Sequence, residues 1–360
     1  MSRPAFPSGR ATPSSFDQIP VVDLSGTDDA SGDIDRHAAQ LCRTCHEVGF
    51  LVITGHGVPQ SLIDDVFDLM HRFFALDDET KRRIDKMASP HFRGWEAVGS
   101  EFTNNRVDVR EQIDAWSEWP TSDADEPHPL RLLGPNQWMP DDIVSGHREI
   151  TLRWMRELGT LADRLLSLLA IGLGLAPDHF VEMFGARSMS LTKLIHYPST
   201  PEGGAGVNAH HDTGFLTLLA PGPTPGLQIR NPDGEWIDAP SIDGAFVVNI
   251  GEMLQAITGN YLVATPHRVI TGTERYAAGY FHGPSLDAEL RPLPLDHRFT
   301  DAVAASPRHR TAGFMASIEA TEAGVDDMAG ELYASTYGEQ LWNYFRRSYP
   351  DNMARHHPDV

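Results

Sequence analysis

The stretch from about Ser188 to His282 breaks into short runs of β-forming residues, SLTKLIHY, FLTLLA, GLQIR, GEWIDA, AFVVNIG, HRVIT and RYAAGYFH, separated by turns rich in Gly, Pro and Asn. Strands this short and closely spaced favour a double-sheet jelly roll over a parallel α/β sheet, whose strands are joined by helical crossovers. Around this centre the period becomes helical. IDRHAAQLCRTCHEV (residues 34 to 48), QSLIDDVFDLMHRFFAL and HREITLRWMRELGTLADRLLSLLAIGLGL space their apolar residues as helices do, the last ending at Gly172 and Gly174. IPVVDLSG and GFLVITGHG read as strands, residues 88 to 145 as long loops with short strands, and GEQLWNYFRRSY as a closing helix. The fold class expected is mainly β with flanking helices on a jelly-roll, cupin-like core. No repeat or linker divides the chain, so we expect one compact unit. Its parts are a flexible leader over 1–18, an N-terminal region over 19–125, the core over 187–287 and a helical C-terminal region over 288–360 packed on that core.

Composition narrows the function classes. The chain of 360 residues is 41% hydrophobic, enough for a sizeable core, yet no apolar run approaches the roughly 18 residues of a membrane span. MSRPAFPSGRATPSSF lacks the apolar segment of a secretory signal. A formal charge of −21 disfavours nucleic acid and anionic membranes as partners, since both attract basic surfaces. The two cysteines, Cys42 and Cys45, stand at i, i+3 in a helical segment without a second pair, which reads as buried thiols rather than a redox or zinc motif. A cytoplasmic protein without disulfides is expected.

Within NAHHDTGFLTLL, His210 and Asp212 stand two apart, so a strand would turn them to one face and His211 to the other. His211 would need a carboxylate at 209 or 213, and those positions hold Ala and Thr. A third ligand is expected from another strand, and His267 in ATPHRVI begins one. Two imidazoles and one carboxylate form a facial triad that leaves metal positions open, as in non-haem Fe(II) oxygenases; zinc accepts the same ligands. Arg275, eight positions after His267, can fork onto a carboxylate near such a site.

With these pieces in place, the sequence resembles the Fe(II)/2-oxoglutarate-dependent dioxygenases of the isopenicillin N synthase-like superfamily. IPVVDLSG, EVGFLVITGHGVP, AHHDTGFLTLL, GLQIRNPDGEWIDAP, VVNIGEMLQAITGN, TPHRVI and ERYAAGYF follow the family's order from residue 19 to about 285. The resemblance implies a double-stranded β-helix, with Fe(II) on His210, Asp212 and His267 and the distal carboxylate of 2-oxoglutarate on Arg275. It implies consumption of O2, decarboxylation to succinate and CO2, and attack on a substrate C–H bond, usually ending in hydroxylation; ascorbate is expected to be supportive. Where the family usually has Arg-x-Ser, this chain has Ala277. Lys193 is expected near the co-substrate, where it could stand in for the lost hydroxyl. The alternatives are an oxidase of the superfamily that uses no 2-oxoglutarate, an ethylene-forming type of enzyme, and a non-catalytic binding protein on the same barrel.

RYAAGYFHGPSLDAEL and YGEQLWNYFRRSYPD look most like the branch of ethylene-forming enzymes and arginine or homoarginine hydroxylases, which also has Ala after the Arg. That resemblance implies a small-molecule substrate, with Glu101 and Thr103 toward a guanidinium and Arg347 toward an α-carboxylate. Phe281 is a further substrate-side candidate. Thr213, next to Asp212, stands where the ethylene-forming branch has an aromatic, which points away from arginine itself and from ethylene formation.

Overall fold

A computed structural model describes residues 15–27, 34–103, 106–122, 126–185, 187–200, 204–310 and 335–359. Most of the expected leader therefore lies outside the described residues. In chain order the strands are β1 (Val21–Asp23), β2 (Phe50–Thr54), β3 (Gly94–Glu96), β4 (Phe102–Thr103), β5 (Arg106–Val107), β6 (Glu111–Trp116), β7 (Leu191–Tyr197), β8 (Gly204–His210), β9 (Leu216–Ala220), β10 (Leu227–Arg230), β11 (Trp236–Asp238), β12 (Phe246–Ile250), β13 (His267–Thr271) and β14 (Arg275–His282). Eight form one large sheet in the order β1-β2-β12-β9-β14-β7-β6-β3, and four form a smaller sheet, β11-β10-β13-β8. The pairings are antiparallel except β1 with β2, and β4–β5 make a separate hairpin. This is the expected jelly roll.

The apolar residues sort into two cores. One lies between the large sheet and the helices, the other between the two sheets, where Ile195, Tyr197, Val207, Ile229, Val247 and Val269 meet. The helices Ile34–Glu47, Gln60–Phe74 and His147–Gly172 form on the segments whose spacing called for them. The two glycines at the end of the long helix differ in role. Gly174 takes a left-handed φ of 78°, as a helix end demands, whereas a side chain on Gly172 would collide with Cys42 and the Ala38 carbonyl of the neighbouring helix. That close crossing seals both thiols, which are free and buried, and burial pushes Cys42 up to about 12.

The irregular stretch expected over 88 to 145 contains one full strand, β6, whose sequence EQIDAW mixes two carboxylates and an amide with apolar residues. All six residues are buried, because β6 is paired on both edges while helices and the site cavity cover its faces. The C-terminal helices Tyr337–Ser348 and Pro350–His356 fold back across the end of the large sheet. Thr336 and Glu339 close a reciprocal capping box at their start. They are latched to residues 86–90 by Asn352, which donates to the carbonyls of Lys86 and Ser89 (both 3.2 Å), and by the ring nitrogens of His356 and His357 at the carbonyls of Met87 and Pro90. No described helix is long and apolar enough to cross a membrane.

Candidate metal centre and substrate cavity

His210 closes β8 and His267 opens β13, and the antiparallel register sets them directly opposite each other, ring centroids 4.2 Å apart. Asp212 lies just beyond the end of β8, in a turn whose carbonyl accepts from Glu252 N at 2.7 Å. The three residues offer ligand atoms that all lie within 4.8 Å of one another, which suits one metal ion. Asp212 Oδ1 faces both imidazoles, 3.5 Å from His210 Nε2 and 3.6 Å from His267 Nε2. Its Oδ2 accepts from Thr217 Oγ1 at 2.5 Å and Asn249 Nδ2 at 2.8 Å. Thr217 and Asn249 are register partners on β9 and β12, so one rung of the large sheet grips the outer oxygen and leaves the inner one to a metal.

The imidazoles are set the same way. His210 Nδ1 lies 2.8 Å from the Asn208 carbonyl and His267 Nδ1 3.2 Å from that of Thr265, which turns each Nε2 inward. Burial and the neighbouring His210 lower His267 to about 4, so it is neutral and ready to ligate at pH 7. Burial opposes the Asp212 carboxylate, yet the two imidazoles and the Thr217 hydroxyl outweigh it and hold the group well below its ordinary range. The donor set and its charge state fit a divalent iron.

His211 is not part of this cluster. His210 and Asp212 converge as expected but not on one strand face, because the chain leaves β8 at His210; for the same reason His211 turns onto the cavity rim, 3.9 Å from Glu252, rather than to the far side of the sheet.

Arg275 is 1% exposed, inside the core between the sheets. Its Nε donates to the Thr224 carbonyl at 3.2 Å, and its guanidinium stacks 4.9 Å from the centre of the Tyr197 ring. Its Nη1 is buried without a hydrogen-bond partner among the described residues. An interior cation with a donor left over fits a carboxylate ligand, because burying such a group unpaired is costly. Ala277 is fully buried opposite Ile195, so the missing hydroxyl is not replaced there; the hydroxyl near Arg275 is that of Tyr197, which the sequence reading missed.

A cavity of about 390 Å³ opens beside the triad, lined by His210, Asp212, Thr213, Glu101, Thr103 and Phe281 among others. Lys193 also lines it, but not as expected. It sits on an interior strand opposite Gly279, four positions along β14 from Arg275 and so about 13 Å away. Its Nζ pairs with Glu101 at 3.3 Å and Asp114 at 3.2 Å, so it belongs to a substrate-side charge cluster and does not substitute for the missing Ser. Arg347 is exposed and outside the lining. The helix offers Leu341, Tyr344, Phe345 and Ser348 to the cavity at helical spacing, and Arg347 falls on the outer side of that face.

The cluster is a single file of alternating charge. Glu96 meets Lys86 at 2.9 Å, Lys86 meets Asp114 at 2.7 Å, Asp114 meets Lys193, Lys193 meets Glu101, Glu101 meets Arg110 at 2.8 Å, and Arg110 meets Asp108 at 3.2 Å. Burial would raise Glu101, but Arg110 and Lys193 hold it far below the usual carboxylate range. Thr103 donates to Asp108 at 2.7 Å at one end, and Gln112 donates to Glu96 at 2.9 Å at the other. Lys86, Arg110 and Asp114 were not singled out from the sequence, where nothing in their local pattern distinguishes them from surface charges.

Comparison with known proteins agrees with this geometry. Residues 19–141 match the model of the non-haem dioxygenase N-terminal region described from morphine synthesis, and residues 188–284 match the 2OG-Fe(II) oxygenase superfamily. A 2-oxoglutarate-dependent dioxygenase of Dothideomycetidae sp. is 36% identical over 79% of this chain and 79% of its own length. A homoarginine-6-hydroxylase of Glycine max is 31% identical over 77% and 89%. The fold superposes on a full-length Neurospora crassa protein solved in complex with alpha-KG, with a TM-score of 0.67 at 24% identity, covering 77% of this chain and 88% of that one. The chain is an Fe(II)- and 2-oxoglutarate-dependent dioxygenase and belongs to the isopenicillin N synthase-like superfamily.

Proposed function

We propose that the enzyme hydroxylates a C–H bond of a small, polar, amino-acid-sized metabolite, with iron held by His210, Asp212 and His267 and the distal carboxylate of 2-oxoglutarate held by Arg275. The observation that carries the co-substrate assignment is the buried, unsatisfied Nη1 of Arg275 in the core between the sheets. Iron and 2-oxoglutarate supply the oxidant with O2, leaving succinate and CO2. The chain's own part is positional. Thr217 and Asn249 fix the Asp212 carboxylate, and Arg275 with Tyr197 sets the depth of the oxoacid. Phe281, Tyr344 and Phe345 wall the cavity against water.

The size of the cavity and its polar wall support a substrate of amino-acid dimensions, as does the similarity to a homoarginine-6-hydroxylase. The guanidino head group implied by the branch resemblance would not find Glu101 free, since that carboxylate already carries Arg110 and Lys193. The test is a screen of amino acids, ureido and guanidino compounds and aromatic acids, reading succinate with and without 2-oxoglutarate. Arg275→Ala is expected to raise the 2-oxoglutarate requirement at least tenfold. Oxygen uptake that proceeds equally well without 2-oxoglutarate would refute the assignment.

A further inference from the structure

We propose that Arg110 is a specificity-determining residue: it fills the carboxylate of Glu101 with the chain's own guanidinium and, together with Lys193, presents the cavity to a hydrogen-bond acceptor on the substrate. This rests on reading the cavity beside the triad as the substrate site.

The carboxylates of the file that line the cavity are both engaged by the chain's own cations, although Asp114 Oδ1 has no hydrogen-bond partner among the described residues. Both oxygens of Glu101 are claimed, Oε2 by Arg110 at 2.8 Å and Oε1 by Lys193 at 3.3 Å. Asp114 Oδ2 is claimed twice, by Lys86 at 2.7 Å and Lys193 at 3.2 Å. Of the file of alternating charges, the five groups that line the cavity are Lys86, Arg110, Lys193, Glu101 and Asp114, three cations against two carboxylates. The two remaining carboxylates, Glu96 and Asp108, stand behind the wall, where Gln112 and Thr103 hold them. The part of the file that reaches the cavity is therefore cationic by one charge, although the whole file is anionic by one, and the other lining carboxylates, Asp212 and Glu252, stand at the triad end.

Donor capacity points the same way. Lys193 has acceptors in Glu101 and Asp114 for two of its three N–H groups. A guanidinium offers five N–H groups, and Arg110 reaches its two carboxylates through Nη2 alone. The Tyr344 ring lines the same wall. A substrate guanidinium would have to displace Arg110 from Glu101 and leave that buried arginine with Asp108 alone. A ureido carbonyl or a carboxylate would instead find donors in place.

The discriminating probes are matched in length: L-homoarginine, its ureido isostere L-homocitrulline, and the carboxylate L-2-aminosuberate. Affinities are read by calorimetry on the enzyme loaded anaerobically with Fe(II) and 2-oxoglutarate. Wild type is expected to bind the ureido or carboxylate probe at least tenfold more tightly than L-homoarginine. Arg110→Ala should strengthen L-homoarginine binding at least tenfold, while Arg110→Lys keeps the wild-type order. Arg110→Gln replaces the Ala variant if that chain does not fold. Wild type that prefers L-homoarginine, or a folded Arg110 variant that gains none of its binding, overturns the proposal. Succinate formation from 2-oxoglutarate by wild type reads the reaction class separately, so the two failures are distinguishable.

Discussion

Asp212 offers a metal one oxygen because the other already accepts two hydrogen bonds, from Thr217 and Asn249. Outer partners of this kind typically contribute 10- to 100-fold in metal affinity. Asn249→Ala is therefore expected to weaken Fe(II) binding by about that factor while the fold persists, as measured by Fe(II) titration; unchanged affinity would mean that Thr217 suffices alone. His211, by contrast, touches none of the triad's ligand atoms in the 4.8 Å cluster, and His211→Ala should still bind iron. At this scale the sequence was most informative. The spacing of His210 and Asp212 pointed to the two residues that the fold brings together with His267, and Arg275 stood out by its position after His267. Asn249 and Thr217 were hidden because each sits inside an apolar run, VVNIG or FLTLL, where a single polar residue gives no hint of which strand it will face.

At the scale of elements, the C-terminal helix pair supplies a wall of the cavity yet is tied down mainly through Asn352, His356 and His357 on residues 86–90. Asn352→Ala removes donors from two carbonyls, and the cost of leaving them unmet is about 1–3 kcal/mol. We expect a lower urea midpoint together with a raised KM for substrate, with no change in Fe(II) affinity; a loss of iron binding would show that the helices support the triad instead. The sequence announced this helix by its period but not its phase. The branch resemblance put Arg347 toward the substrate, whereas Leu341, Tyr344, Phe345 and Ser348 define the inward stripe. β6 was illegible for the opposite reason. Its two carboxylates are three apart and so fall on opposite faces, Glu111 toward Lys81 and His196 and Asp114 toward the buried file of ion pairs, and no amphipathic pattern survives to mark the strand.

For the whole molecule, the strand count, the turn chemistry and the resemblance fixed the jelly roll, because short closely spaced strands leave few ways to bury both faces. Stability adds a pH dependence unrelated to the metal. His147 is fully buried, its Nδ1 accepting from Met139 N at 3.0 Å, and burial followed by the nearby Arg72 lowers it to about 4 from an ordinary 6.5. As pH falls through 6.5 the unfolded chain binds a proton that the folded chain refuses. Stability from this group is therefore complete above about 6.5 and declines by about 1.4 kcal/mol per unit toward pH 4. The stability difference between wild type and His147→Gln, taken from urea midpoints, should shrink over that window; a constant difference would assign the buried ring no role in acid sensitivity.

The rung formed by Thr217 and Asn249 belongs to the large sheet, while both histidines stand on the small one, so the site for iron is also the seam of the barrel. A metal bound there acts as a rivet between two layers that otherwise meet through apolar contacts. Anything that binds only the folded form adds about 2.7 kcal/mol when present at a hundredfold excess over its Kd. Iron supply would thus set the lifetime of the folded enzyme as well as its turnover, and a starved cell would lose the protein along with the reaction.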